Sequence, residues 1–187
     1  MNYSAADIAS FFATHESKVT HNLVAHTKFR PCRYTQNQID AMATQAKKDL
    51  RYALNCFAKS LYPNHTSLVQ RKPHIYRPLS LVTIENIKET TDEEQTIHFN
   101  ICLGNIPKHL NTAEIASRFK HAWVNKASQK DDIYITHKDE YGADINKWFS
   151  YIVKDANKSK QLAWTTSGTW DVENSWIPNN AINTDLS

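Results

Sequence analysis

The sequence predicts an α+β fold in which a central antiparallel β-sheet carries helices packed on one face. Two runs, residues 79–87 and 96–103, are rich in β-branched residues and alternate apolar with polar side chains, as strands with one buried face do. The charged residues 88–95 between them are typical of a hairpin loop. A long helical pattern before the hairpin supplies a partner for its apolar face. That face comprises Val82, Ile84, Ile97, Phe99, Ile101 and Leu103.

Length and composition favour one domain. The chain has 187 residues, 41% of them hydrophobic, which is enough to bury a single core. A net charge of +3 permits a phosphate-bearing partner without requiring one. Three scattered cysteines favour a reducing compartment over a disulfide framework or a structural zinc site. Because the sequence has neither a membrane-length apolar stretch nor an apolar leader, we expect a cytoplasmic protein.

The single domain is predicted to span residues 1–187. It begins with an N-terminal extension over residues 1–34. Residues 4–14 within it are predicted to form an amphipathic helix, and a short strand is allowed after them. A long helix follows over residues 35–62, beginning at Thr35. Its outer face is basic, and a solvated helix surface explains that face better than a nucleic-acid contact. The basic residues are Lys47, Lys48, Arg51 and Lys59.

Three further elements are predicted after the hairpin. A helix begins at residue 111 or 112, and residues 132–137 alternate as a third strand. A last helix covers about residues 143–157. The C-terminal tail, residues 159–187, contains tryptophans without a clear period, so it either adds an edge strand or lies irregularly over the core.

Four polar side chains of the hairpin are predicted to share the face opposite the core. A loop centred near residues 91 and 92 puts Glu85 opposite His98 and Thr83 opposite Asn100. One interpretation is an ordinary cross-strand ion pair on a polar shelf, which contributes little stability. The alternative is a metal site, because Glu85 offers a hard carboxylate and His98 and Asn100 offer neutral ligands on a rigid sheet. One carboxylate, one imidazole and one amide suit Mg²⁺ or Mn²⁺ better than Zn²⁺.

The last predicted helix places a tyrosine among lysines. Tyr151 falls on one face with Lys147, Lys154 and Lys158, beside the buried stripe. Nearby positive charge favours the phenolate and attracts phosphate, and a tyrosine that attacks a phosphodiester requires both. Taken alone, the pattern is explained better by an amphipathic helix with a lysine-rich outer surface. The buried stripe comprises Ile145, Trp148, Phe149 and Ile152.

In this order the motifs resemble those of the HUH endonucleases. These are the rolling-circle replication initiator (Rep) proteins of small plasmids, phages and single-stranded DNA viruses, with relatives among relaxases and transposases. The resemblance covers roughly residues 79–158, which form the motif-bearing core. It implies an antiparallel sheet of ferredoxin-like or RRM-like type with helices behind it and a metal on the open face. It also implies a tyrosine that cleaves single-stranded DNA and stays linked to its 5′ phosphate.

The resemblance assigns roles residue by residue. His98 matches the first metal histidine, Tyr151 the nucleophile, and Lys154 the lysine that helps to place the phosphate. Glu85 takes the acidic ligand position through the predicted register alone. Asn100 stands where the second histidine is expected. Some members have glutamine there, so asparagine implies either weaker metal binding or a loss of cleavage.

The sequence leaves three classes of function open. The first is a replication initiation or mobilisation protein that nicks and rejoins single-stranded or hairpin DNA at an origin. Lys147 and Lys158 would then contact DNA, and a host helicase would assist. The second is a non-catalytic DNA-binding protein on the same fold, or a transposase or relaxase of the superfamily. The third is an unrelated α+β protein whose polar hairpin face covers a partner or forms a dimer.

Overall fold

A computed structural model describes residues 5–141, 148 and 170–178, and it confirms the α+β class with a four-stranded antiparallel sheet. The strand order is β2-β3-β1-β4. None of the described helices is both long and apolar enough to cross a membrane. The elements are α1 (Ala5–Ala13), β1 (Val19–His26), α2 (Gln36–Leu61), α3 (Leu68–Arg71), α4 (Pro73–Tyr76), β2 (Leu79–Glu85), β3 (His98–Gly104), α5 (Thr112–Lys120) and β4 (Ile133–His137).

The hairpin of β2 and β3 has the predicted register. Glu85 pairs with His98 and Thr83 with Asn100. The opposite face carries Val82 and Phe99 into the main core, as the alternation predicts. The hairpin therefore determines which side chains face the main core and which lie on the opposite face of the sheet.

Strand β1 lies at the centre of the sheet, between β3 and β4. Its pairing with β3 shifts between Val19 and His21, which is a β-bulge. The bulge interrupts the period-two alternation at the start of the strand. The sequence allowed only a short strand here, whereas the observed strand has eight residues and lies at the centre of the sheet.

Helices α2 and α5 build the main core on one face of the sheet. The side chain of Gln38 accepts a hydrogen bond of 3.0 Å from the Thr35 amide and fixes the start of α2. Helix α5 continues into a π-helical turn, His121–Lys126, which buries Trp123 against Phe99. The buried face of α2 comprises Ile39, Ala43, Ala46, Leu50, Ala53, Leu54, Phe57, Ala58 and Leu61.

Helix α1 packs on the other face of the sheet. Its residues Ile8 and Phe12 form a second apolar cluster with Leu79, Leu81 and Cys102. These strand residues alternate with the core-facing ones, so they belong to the same face as the predicted polar side chains. That face is apolar and covered at the Leu79 end of β2, and polar only at the Glu85 end.

Residues 170–176 close the free edge of β2. Ser80 exchanges two backbone hydrogen bonds with Trp176, and the amide of Asp171 donates to the Val82 carbonyl. The side chain of Ser175 also accepts a hydrogen bond from the Val82 amide. Of the two predicted arrangements for the tail, edge pairing is the one observed for these residues.

Candidate functional site

The last pair of the β2–β3 ladder joins an acid to an imidazole. The Oε2 atom of Glu85 lies 3.2 Å from Nε2 of His98. The side chain of Glu85 is 2% exposed and that of His98 is 14% exposed. Because water is largely excluded, this pair interacts more strongly than an exposed ion pair, and separating it leaves a buried polar group unpaired.

One step along the same face, Thr83 and Asn100 form a buried polar pair. Thr83 Oγ1 and Asn100 Nδ2 have no hydrogen-bond partner among the described residues. A buried donor without a partner costs about 1–3 kcal/mol, so both atoms suit a ligand that accepts hydrogen bonds. We call Thr83, Glu85, His98 and Asn100 the polar cluster.

Asn86 orients the imidazole of His98, and the sequence did not single it out. Its backbone is left-handed, with φ of 62°. Its Nδ2 lies 3.2 Å from His98 Nδ1 and donates to the Thr96 carbonyl at 2.9 Å. Gln95 donates to its Oδ1 at 2.8 Å. With Asn86 held this way, Nδ1 accepts and Nε2 carries the proton toward Glu85.

A second histidine lies against His98. The rings of His26 and His98 are stacked with centroids 4.9 Å apart, and His26 Nδ1 is 2.8 Å from Thr96 Oγ1. Burial, and then the neighbouring His98, lower the pKa of His26. A neutral His26 does not repel a positively charged ligand at this end of the sheet. The proximity of His26 to His98 is apparent only from the β1–β3 pairing, and no pattern in the sequence specifies a register for β1.

An exposed tyrosine completes this end of the sheet. Tyr134 of β4 is 63% exposed, and its ring lies 6.5 Å from that of His26. It lies near the Asp132 carboxylate and is a minor contributor to the lowering of the pKa of that group. Tyr134 is therefore a phenol close to the polar cluster, on a strand rather than on the predicted helix.

The expectation of an open polar shelf is wrong for most of the cluster. Thr83, Glu85 and Asn100 are buried, and His98 is the partly exposed member. The strand edge beside Thr83 is occupied by Trp170, which forms a backbone bridge with it. Sequence alternation predicts which face a side chain takes, but not what covers that face.

The donors of the polar cluster fit a hard divalent cation in type. They supply one carboxylate, one imidazole and one amide. An amide binds a cation through its oxygen, and exchanging the Oδ1 and Nδ2 atoms of Asn100 would place Oδ1 where the unpartnered Nδ2 now lies. His98 Nε2 must release its proton to act as a ligand, which requires Nδ1 to donate instead. The Thr96 carbonyl, 3.5 Å from Nδ1, is the acceptor at hand. The described residues contain no group of three or more His, Cys, Asp or Glu that would hold a metal without the amide.

Most of the predicted nucleophile helix lies outside the described residues. This applies to Tyr151 and Lys154, and to the two further lysines, Lys147 and Lys158. Trp148 is described, is helical, and packs against the apolar cluster that contains Cys102. It therefore contacts the sheet face that bears the polar cluster, which is the face opposite the main core.

Cys102 itself is not a reactive thiol. Burial raises its pKa to about 12, while a hydrogen bond with Trp148 acts in the opposite direction. A neutral buried thiol serves as packing beneath Trp148.

No protein-family model, curated protein or solved structure matches the chain.

Proposed function

We propose that the protein nicks and rejoins single-stranded DNA through a tyrosine, as a replication initiation or mobilisation protein. The observation that carries the proposal is the buried contact between Glu85 and His98, in register with Thr83 and Asn100. A stabilising ion pair needs neither the amide nor the unpartnered hydroxyl beside it. A site for a cation and a phosphate uses all four groups.

Glu85, His98 and Asn100 would hold Mg²⁺ or Mn²⁺, which when bound would polarise a phosphodiester. Thr83 has the hydrogen-bonding capacity to contact a phosphate oxygen, since its Oγ1 is buried and has no partner among the described residues. His26, kept neutral by burial, adds no competing positive charge. Because the cluster is largely buried, the strand must enter from the partly exposed side of His98.

In the proposed reaction the phenolate oxygen of Tyr151 attacks the scissile phosphorus in line. A phosphotyrosine bond to the 5′ side forms, and the bond from phosphorus to the 3′ oxygen breaks. The 3′ oxygen takes up a proton and leaves as the hydroxyl that primes synthesis. Lys154, Lys147 and Lys158 stabilise negative charge on the phenolate and phosphate, and attack by the 3′ hydroxyl reverses the step.

The contact made by Trp148 supports Tyr151 as the nucleophile. Trp148 packs on the sheet face that carries the polar cluster. Tyr151 follows three residues later, and three residues of chain span at most about 11 Å. Chain connectivity therefore allows the phenol to reach this face.

Tyr134 is the second candidate nucleophile, because it stands next to His26 at the polar end of the sheet. Tyr134 lies near the Asp132 carboxylate, whereas Tyr151 is flanked in sequence by lysines. Negative charge on a phenolate is stabilised by cations and destabilised by a carboxylate. This contrast favours Tyr151.

The proposed partners are single-stranded or hairpin DNA at an origin and a host helicase, in the cytoplasm. Two alternatives share the same geometry. One is a transposase or relaxase of the same superfamily, which would perform the same chemistry on other DNA. The other is a non-catalytic DNA-binding protein, because Asn100 replaces the second histidine of the family that the motifs resemble.

The test is formation of a denaturant-resistant adduct between the protein and a fluorescent single-stranded oligonucleotide library in Mn²⁺. We expect an adduct with the wild type and with Tyr134→Phe, but none with Tyr151→Phe. DNA binding measured separately should be unchanged in Tyr151→Phe. Binding without any adduct in the wild type would support the non-catalytic alternative. An adduct that survives Tyr151→Phe would overturn the assigned nucleophile.

A further inference from the structure

A pocket of about 300 Å³ lies at the Leu79 end of β2, away from the polar cluster. Arg77 stands eight residues before Glu85, a distance of about 26 Å for an extended chain. The pocket is therefore separate from the candidate metal site. It is lined by Asn55, Lys59, Val69, Gln70, Pro73, Arg77 and Trp176.

Arg77 is the central cation of this pocket. Its guanidinium lies over the ring of Trp176, with the central carbon 5.3 Å from the ring centroid. No ion pair of Arg77 with a carboxylate occurs among the described residues. Stacking covers one flat face of a guanidinium but leaves the N–H donors at its edge available.

The electrostatics around Arg77 are unfavourable without an anion. Burial, and then the neighbouring cation Arg51, lower the pKa of Arg77. Arg51 has its own partner in Glu173, whereas Arg77 does not share that contact. Lys59 adds a further exposed ammonium to the pocket lining. A bound anion would offset both the desolvation of Arg77 and the repulsion between cations.

Trp176 is held in place by the strand edge. Its backbone donates to the Ser80 carbonyl at 2.7 Å and accepts from the Ser80 amide at 2.9 Å. The amides of Asn55 and Gln70 line the same pocket. An aromatic surface, two cations and two amides together match a nucleotide, in which a phosphate is joined to a flat base.

We propose that the Arg77–Trp176 pocket binds the phosphate of a nucleotide, with Arg77 and Lys59 as the cationic contacts. The nucleotide is either free or a unit of a nucleic-acid strand. The pocket needs neither a metal nor Tyr151, so it stands independently of the proposed cleavage reaction.

The probes are thymidine 5′-monophosphate, thymidine and single-stranded oligothymidine, titrated calorimetrically into the full chain in EDTA. We expect phosphate-dependent binding, with thymidine giving no heat. Arg77→Gln should weaken binding by about tenfold or more, because a hydrogen-bonded charge pair is lost. Lys59→Gln, an exposed change that leaves folding intact, should weaken it by a smaller factor.

Arg71→Gln is the matched control, since Arg71 is exposed, lies on α3 next to Gln70, and does not line the pocket. Binding of the monophosphate identifies a free-nucleotide site, and binding of the oligonucleotide alone identifies a strand contact. The proposal is overturned if neither the monophosphate nor the oligonucleotide binds, or if Arg71→Gln and Lys59→Gln weaken binding equally. Because EDTA removes the divalent cation that the proposed cleavage requires, binding in EDTA tests the pocket independently of the cleavage reaction.

Discussion

Glu85 and His98 face each other at the end of the β2–β3 pair with 3.2 Å between Oε2 and Nε2. The imidazole is held from its other side by Asn86, and the ring of His26 is stacked on it. The carboxylate is thus both buried and directed at a histidine whose orientation is fixed. Such pre-organisation is required of a metal site and is more than a surface ion pair needs.

Glu85→Gln should abolish most cation binding and preserve the fold. Glutamine can still accept a hydrogen bond from His98 Nε2, but it removes the negative charge that a divalent ion requires. We expect Mn²⁺ affinity, measured by electron paramagnetic resonance titration, to fall by about tenfold or more. Glu94→Gln, an exposed loop change with the same loss of charge, is the control. Equal Mn²⁺ affinity in both variants would exclude Glu85 as a ligand.

Asn100→Asp should make stability depend on the metal. A second buried carboxylate on the face of Glu85 adds like charge, so in EDTA the melting temperature should fall, with about 1–3 kcal/mol of stability lost. In Mn²⁺ the same carboxylate becomes a ligand, so the melting temperature should rise by more than in the wild type. Asn111→Asp, which keeps an acceptable helix cap, controls for the added charge. A variant that is destabilised equally with and without Mn²⁺ would place Asn100 outside the site.

His21 should make the protein less stable in mild acid. Burial, and then His137, lower the pKa of His21 to about 4 from its usual 6.5, so the unfolded chain binds the proton first. Stability is complete above about pH 6.5 and falls as the pH drops toward about 4. Allowing for solvent screening, His21 should cost about 1–2 kcal/mol between about pH 7 and pH 5. Urea unfolding at the two pH values should show a smaller difference for His21→Asn, and an unchanged difference would contradict the assignment.

Asp171 should make the protein less stable as the pH rises, the opposite of the effect of His21. Burial raises its pKa above the usual 3.8, against the hydrogen bond from Asn174. The folded state therefore holds the proton more tightly, and stability falls as the pH rises from about 4 through the raised pKa. Asp171→Asn should raise the melting temperature near neutral pH and have little effect near pH 3.5. Glu173→Gln, an exposed neighbour, is the comparison for general charge effects. A gain that is the same at both pH values would show that ionisation is not its cause.

The hairpin could be predicted because the sequence pattern that specifies it lies within one short stretch of the chain. Period-two alternation on both sides of one charged loop fixes the face and register of Glu85 and His98. His26, which stacks on His98, was not anticipated, because its position follows from the pairing of β1 with β3, and no local pattern in the sequence specifies that pairing. The covering of Thr83 and the Arg77–Trp176 pocket depend on residues 170–176, which are distant along the chain. Their pairing with β2 follows from tertiary packing rather than from a pattern in either segment.

The proposed function requires Tyr151 to become covalently joined to DNA. The most direct measurement is peptide mapping by mass spectrometry of the adduct formed in Mn²⁺ with single-stranded DNA. We expect a single nucleotide-bearing peptide, modified at Tyr151. Modification at Tyr134, or at a tyrosine elsewhere in the chain, would contradict it.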